Sequence, residues 1–197
     1  MPNSFPLSSD LKSFLWTLRR LGVPPSQYLL TINIDRQMLS GWEKQPRPCQ
    51  TGIGRAQRFP FYSRIFDCRV STSKYGAGQL LNSNRTPSGL HRVARKIGGG
   101  QPQGTAFRGR VPVGLTWQGL PHATIVHRIF WLEGLEPGFN RGGNVDSFQR
   151  YIYIHGFSDE TTIGRPVSQG CIHLAAADII PLYDWLPLGT LVWIHEK

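Results

Sequence analysis

Apolar residues recur at two different periods along the 197-residue chain, and the change of period divides it. Near the N-terminus Leu11, Phe14, Leu15, Leu18 and Leu21 fall three and four apart, the spacing of one helix face, with Ser8, Ser9 or Asp10 available as N-cap and Gly22 as a stop before "VPP". The stripe is narrow and Arg19-Arg20 is its only basic cluster, which predicts packing on the body of the protein rather than on a membrane or partner helix. From residue 28 the period shortens to two. "YLLTINI" alternates Leu30, Ile32 and Ile34, and "RIFDCRVST", "GLHRVARK", "TIVHRIFWL", "RYIYIHG" and "TLVWIHE" are rich in β-formers. Turn residues stand between them in "DRQ", "RTPSG", "KIGGGQPQG" and "LEPGFNRGGN". Only "AAADIIPLYDWLP" has the length and Ala/Leu content for a second helix, with Pro181 as a possible break. The pattern predicts a mainly β fold with a few short helices and no internal repeat. Residues 1–27 form an N-terminal amphipathic helix and linker, and residues 28–197 form the main domain.

Composition agrees with many turns: Gly 22, Pro 15 and only 17 % charged residues. The net charge of +10 attracts anions of any kind, but the basic residues are scattered, and neither a recognition helix nor an aromatic-basic ribonucleoprotein motif is visible. No nucleic-acid partner is expected. No apolar run approaches the ~20 residues that span a bilayer, so no membrane span is expected. The N-terminal segment has no basic region before its broken apolar stretch, so the chain as it stands is expected to be cytoplasmic, and periplasmic if a leader has been removed. The sequence assigns no oligomeric state.

Candidate chemistry narrows quickly. Cys49, Cys68 and Cys171 form an odd count without a CxxC pair, which argues against a disulfide scaffold or a structural zinc. Gly98, Gly99, Gly100 and Gly104 lack the Gly-Lys-Ser/Thr of a phosphate loop, and "TGIGRAQR" lacks the third glycine of a dinucleotide fingerprint. Cys171, His173 and His155 could be three metal ligands, but only one close pair exists among them. His122, His127 and His195 read as surface or strand histidines. No metal and no cofactor is expected.

One constellation remains. Cys171 stands in "SQGCIHL", and sixteen positions upstream His155 ends "YIYIHG". A cysteine nucleophile needs a base to take its proton, a group to orient that base and backbone donors for the oxyanion. His155 on a strand end, the Gly156 carbonyl beside it and the flexible Gly170 can supply these. Free cysteines are also often small buried hydrophobes, and the residues alone leave both readings open.

The segment "YIYIHGF…IGRPVSQGCIHLAAADIIPLYDWLPLGTLVWI" resembles the L,D-transpeptidase catalytic domain, whose signature is a His, an intervening loop, and Ser/Thr-His-Gly-Cys followed by an apolar residue. "LLTINIDRQMLSGWE", "CRVSTSKYGAG" and "NRTPSGLHRV" are similar to that family's first hairpin, Val-Ser-Thr strand and Thr-Pro-x-Gly turn, so the resemblance runs from about residue 28 to 196. It implies an L,D-transpeptidase-like β-sandwich and a cysteine enzyme acting on peptidoglycan stem peptides or muropeptides. Cys171 would be the nucleophile, His155 its base, Gly156 the carbonyl that orients His155, and the Gly170 and Cys171 amides the oxyanion hole. Ser168, Gln169 and His173 would contact substrate. An acyl-thioester would form with loss of D-Ala from a tetrapeptide and pass to an amine, as in an L,D-transpeptidase, or to water, as in an L,D-carboxypeptidase; the missing leader favours water. The resemblance also implies acylation by carbapenems. Two positions depart from the pattern: Gln169 replaces the usual His and can position but not carry a proton, and His173 replaces the Arg of many members. The loss of His at 169 also motivates a non-catalytic peptidoglycan-binding or regulatory module.

Overall fold

The computed structural model describes residues 9–46 and 60–196; Cys49 and "TGIGRAQR" lie outside them. Two helices and ten strands follow in the order α1 (Ser9–Leu21), β1 (Tyr28–Asn33), β2 (Met38–Gln45), β3 (Phe61–Arg69), β4 (Gly89–Ile97), β5 (Thr105–Arg108), β6 (Val111–Leu115), β7 (Val126–Gly134), β8 (Tyr153–Gly156), β9 (Ile172–Leu174), α2 (Ala176–Trp185) and β10 (Leu191–His195). The strands hydrogen-bond as one mixed sheet in the order β3-β2-β1-β10-β4-β7-β5-β6, with β8 also on β7 and β9 on β8. Only β1 with β10 and β8 with β9 run parallel. The mainly β fold read from the period-two runs is the fold observed.

Strand alternation sends side chains to three apolar clusters, two of them packed against a helix. Leu30, Ile32, Phe130, Leu132, Ile154, Ile172 and Val192 pack with Ile179, Leu182 and Tyr183 of α2. Leu29, Leu90, Leu191 and Trp193 pack with Leu11, Phe14, Leu15 and Leu18 of α1, so the N-terminal stripe lies on the sheet. Each of these α1 side chains contributes about 1.5–3 kcal/mol by leaving water. The helix closes with paired bonds from Gly22 N–H to the Arg19 carbonyl (3.3 Å) and from Val23 N–H to the Leu18 carbonyl (3.0 Å), a Schellman motif. Pro181 does not break α2, which continues to Trp185. Both Pro181 and Ala177, whose carbonyl loses its helical donor, are exposed, so water can replace the one missing bond.

The segment after β3 is not a regular strand but a clamp. Gln37 accepts from the Thr72 N–H at 2.7 Å and donates to Thr72 Oγ1 at 2.6 Å. The clamped segment in turn exchanges Ser71 N–H to His173 O (3.0 Å), His173 N–H to Ser71 O (2.9 Å), Ser168 N–H to Thr72 O (3.0 Å) and Lys74 N–H to Ser168 O (3.1 Å). Both ends of the 168–173 loop are therefore fastened to the body by backbone bonds.

Candidate active site

β8 places the histidine. Its alternation sends Ile154 into the α2 core and leaves Tyr153 and His155 on the opposite face. The register pairs Ile154 with Ile172 and His155 with His173, so Cys171, one residue before β9, lies diagonal to His155 across two bonded strands. Cys171 packs on that same face against the cluster of Phe107, Ile129, Trp131 and Tyr153.

His155 is 2 % exposed and its Nδ1 lies 2.8 Å from the Gly156 carbonyl. A carbonyl only accepts, so Nδ1 carries the proton and Nε2 presents its lone pair, without a hydrogen-bond partner among the described residues. Burial lowers the imidazole pKa to about 4, against the opposing pull of the Gly156 carbonyl. Gly156 has to be glycine: an added Cβ would stand 2.5 Å from Cδ2 of His127 and 2.6 Å from the Val126 carbonyl. His127 is a buried residue at the β7 bulge with φ 68°, and its Nδ1 accepts from Gly104 N–H at 2.8 Å. It walls the carbonyl that orients His155.

Cys171 is half-buried. Its Sγ donates to the Tyr151 carbonyl at 3.5 Å rather than to His155. Burial raises the thiol to about 11, partly offset by the Tyr153 N–H and the positive charge of Arg150. The resting pair is therefore a neutral thiol beside a neutral imidazole. Cys68, by contrast, is a core residue packed among Leu39, Val70 and their neighbours, with its thiol pushed up to about 12 mainly by burial.

The loop around the sulfur divides the remaining expected residues. Ser168 is 2 % exposed, and its hydroxyl donates to the Cys171 carbonyl (2.6 Å) while accepting from Gly170 N–H (3.2 Å). It shapes the turn instead of facing out. The Gly170 amide is thus engaged, whereas the Cys171 amide makes no hydrogen bond among the described residues. Gly170 has φ +117°, a conformation closed to side chains, and its α-carbon faces the Arg85 carbonyl. Gln169 is exposed and His173 is 7 % exposed. The His173 ring stacks on Phe157 at 4.2 Å and 15° and lies 4.8 Å from the His155 ring. Burial and the neighbouring His155 hold it near pKa 3, so it offers no positive charge in place of arginine.

Two contributors are invisible to motif reading. Tyr151, at φ 56°, turns its carbonyl onto the sulfur. Arg150 donates to the carbonyls of Gly78 (3.2 Å), Gln79 (2.8 Å) and Arg85 (2.7 Å), stitching the loop beneath Gly170 while lying close enough to Cys171 to couple with it. Tyr153 was within reach of sequence reasoning, since it precedes His155 by two on a strand. Arg150 was not, because its partners lie some seventy residues away in sequence. Among the described residues no group of His, Cys, Asp or Glu is arranged to hold a metal.

A family model of the L,D-transpeptidase catalytic domain (YkuD) matches residues 27–194. No curated protein matches the chain. Among solved structures it is similar to Bdellovibrio bacteriovorus Bd1075, with TM-score 0.53 and 15 % identity over 86 % of this chain and 48 % of that one. It is also similar to the K307A mutant of the helical cell shape determining protein Pgp2 from Campylobacter jejuni, with TM-score 0.51 and 15 % identity over 88 % of this chain and 48 % of that one. The chain spans about half the length of these two proteins. The likeness is one of fold.

Proposed function

The chain belongs to the L,D-transpeptidase catalytic-domain family, and from that premise we propose that it is a cysteine acyltransferase or peptidase acting on peptidoglycan stem peptides. The single observation that carries the reading is the His155 tautomer: Nδ1–H is spent on the Gly156 carbonyl, so the basic nitrogen is free on the face that carries Cys171. In this reading the thiol proton passes to His155 Nε2 as Sγ bonds to the carbonyl of the third stem residue. The Cys171 N–H donates to the resulting oxyanion, joined by Gly170 N–H once it exchanges Ser168 for that oxygen. The proton then moves from Nε2 to the nitrogen of the leaving D-Ala as the C–N bond breaks, and a thioester remains. An amine or a water gives its proton to Nε2, attacks the thioester and expels the thiol. With the thiol raised and the imidazole lowered, the proton moves during attack rather than beforehand.

A non-catalytic module on the same wall peptides is the second reading, favoured by the thiol bond to Tyr151 in place of His155. Release of D-Ala from a synthetic tetrapeptide separates the two. Cys171→Ala should abolish it, while Cys68→Ala and Cys49→Ala should retain it. Intact-mass spectrometry after carbapenem treatment should show one adduct, on Cys171. Absence of both release and adduct from the folded chain would leave the binding module.

A further inference from the structure

Beside Cys171 the sheet carries an aromatic floor. Trp131 stacks on Phe148 at 4.0 Å and 4°, meets Tyr153 edge-on at 5.5 Å and lies 5.6 Å from Tyr151. Arg110, between β5 and β6 at φ 70°, lays its guanidinium on this floor, 4.8 Å from the Trp131 ring and 5.0 Å from the Tyr151 ring. Its Nη1 donates to the Tyr153 hydroxyl at 3.2 Å. Arg110 pairs with no carboxylate among the described residues, and a second cation, Arg95, sits 5.5 Å from the same indole. Two ring contacts and one hydrogen bond hold the Arg110 guanidinium, which removes much of the entropy cost of fixing a long side chain.

The residues that hold Arg110 are also those that hold the sulfur. The Tyr151 carbonyl accepts from Sγ, and the Tyr153 N–H lies against it. The fork therefore bonds the tip of the tyrosine whose backbone N–H acts on the thiol. In a peptide under attack, a carboxylate on the residue after the scissile bond is only about 3.6 Å of chain from the attacked carbon. We propose that Arg110, braced on Trp131 and Tyr151, is an anion subsite that binds the C-terminal carboxylate of the leaving residue and so selects peptides with a free carboxyl end. A planar fork matches a carboxylate through paired hydrogen bonds. The inference rests on the acyl-transfer reading for its substrate, but the contact itself can be measured without turnover.

The test uses one synthetic stem tetrapeptide ending in L-Lys–D-Ala, as the free acid and as the C-terminal amide. Binding is measured by calorimetry to Cys171→Ala, and release of the terminal residue is measured with Cys171 in place. The free acid should bind at least about tenfold more tightly than the amide. Arg110→Gln in the Cys171→Ala background should bring the two within about twofold, chiefly by weakening the acid, and Arg110→Lys should keep part of the preference because it retains the charge without the fork. In turnover the loss should appear in KM for the acid, with the amide nearly unaffected. An acid-to-amide ratio that is flat in the Cys171→Ala chain, or that Arg110→Gln leaves unchanged, overturns the subsite. An Arg110-dependent preference in binding without turnover by any variant upholds the subsite and removes the acyl-transfer reading. Cys171-dependent turnover indifferent to Arg110 does the reverse.

Discussion

His91 and His155 are both fully buried, and burial presses both down to about pKa 4. Each has Nδ1 against a backbone carbonyl close to it in sequence, Gly89 at 3.1 Å and Gly156 at 2.8 Å, so each presents Nε2 as the acceptor. They part at that atom. The Nε2 of His91 accepts from the buried Ser147 hydroxyl at 3.0 Å, and with it the ring's hydrogen bonding is complete. The Nε2 of His155 has no such partner among the described residues and shares a face with a thiol. A pKa shift alone would not separate a structural from a functional histidine here. What separates them is whether the second nitrogen is already spoken for.

Exchanging the two roles by mutation gives the largest expected effect. His155→Ala should slow acylation of Cys171 by roughly 10²–10⁴, the contribution of a general base, on top of the cavity cost that truncating any buried ring carries. His91→Ala should cost roughly 2–4 kcal/mol of stability through its cavity and the orphaned Ser147 hydroxyl while leaving the acylation rate within a few fold. Rates from a carbapenem mass assay and unfolding curves from urea titration check both halves. Equal acylation in the His155 variant would mean a thiol reactive by exposure only.

Next in size is the carbonyl that sets the tautomer. Gly156→Ala brings a methyl to within 2.5 Å of the His127 ring, and the carbonyl or that ring must move. Misplacing the imidazole by a fraction of an ångström to an ångström should cost roughly tenfold to a hundredfold in acylation. Gly89 offers the matching control. Its carbonyl orients His91, so a substitution there should appear in stability and not in rate.

Acid should affect the two histidines alike, which sharpens the comparison from the other side. His91, His155 and His173 lie below their ordinary value of 6.5, at about 4, 4 and 3. With folded pKa values depressed, their contribution to stability is fully present above pH 6.5 and is lost as pH falls towards 4 to 3. Each contributes a slope of up to about 1.4 kcal/mol per pH unit in that window. Urea unfolding between pH 7 and 4 should steepen below 6.5, and His91→Gln should remove about one histidine's share of the slope.

How far these sites could be read in advance depends on the range of the contacts that build them. The period-two runs gave β1, β4, β7, β8 and β10, because strand alternation is a local property, and the Cys and His of the site lie on a motif whose spacing is written along the chain. Pro181 misled because its cost depends on whether the freed Ala177 carbonyl meets water, which no periodicity reports. Ser168 looked like a substrate contact, yet its hydroxyl closes the turn. In sequence Arg110 is one of many scattered basic residues, since only the folded sheet brings Trp131, Tyr151 and Tyr153 against it. His91 and His155 show the same limit: in sequence nothing marks Ser147 as the partner of one and not of the other.

Gln169 carries the smallest expected effect. The family's usual residue there is His, and a histidine could share the proton traffic between thiol and leaving group. The proposed proton path needs only His155, because its Nε2 has no hydrogen-bond partner among the described residues and its tautomer is fixed by Gly156. Gln169 is exposed and makes no hydrogen bond among the described residues that shapes the loop, whose turn is closed by Ser168 and whose ends are fastened to residues 71–74. Gln169→His should therefore fold as the parent does and change kcat/KM for D-Ala release by less than about tenfold. A gain of several orders of magnitude would show that one histidine does not suffice. The contrast between a completed His91 and an available His155 would then describe an incomplete site, and the binding-module reading would gain what the catalytic one lost.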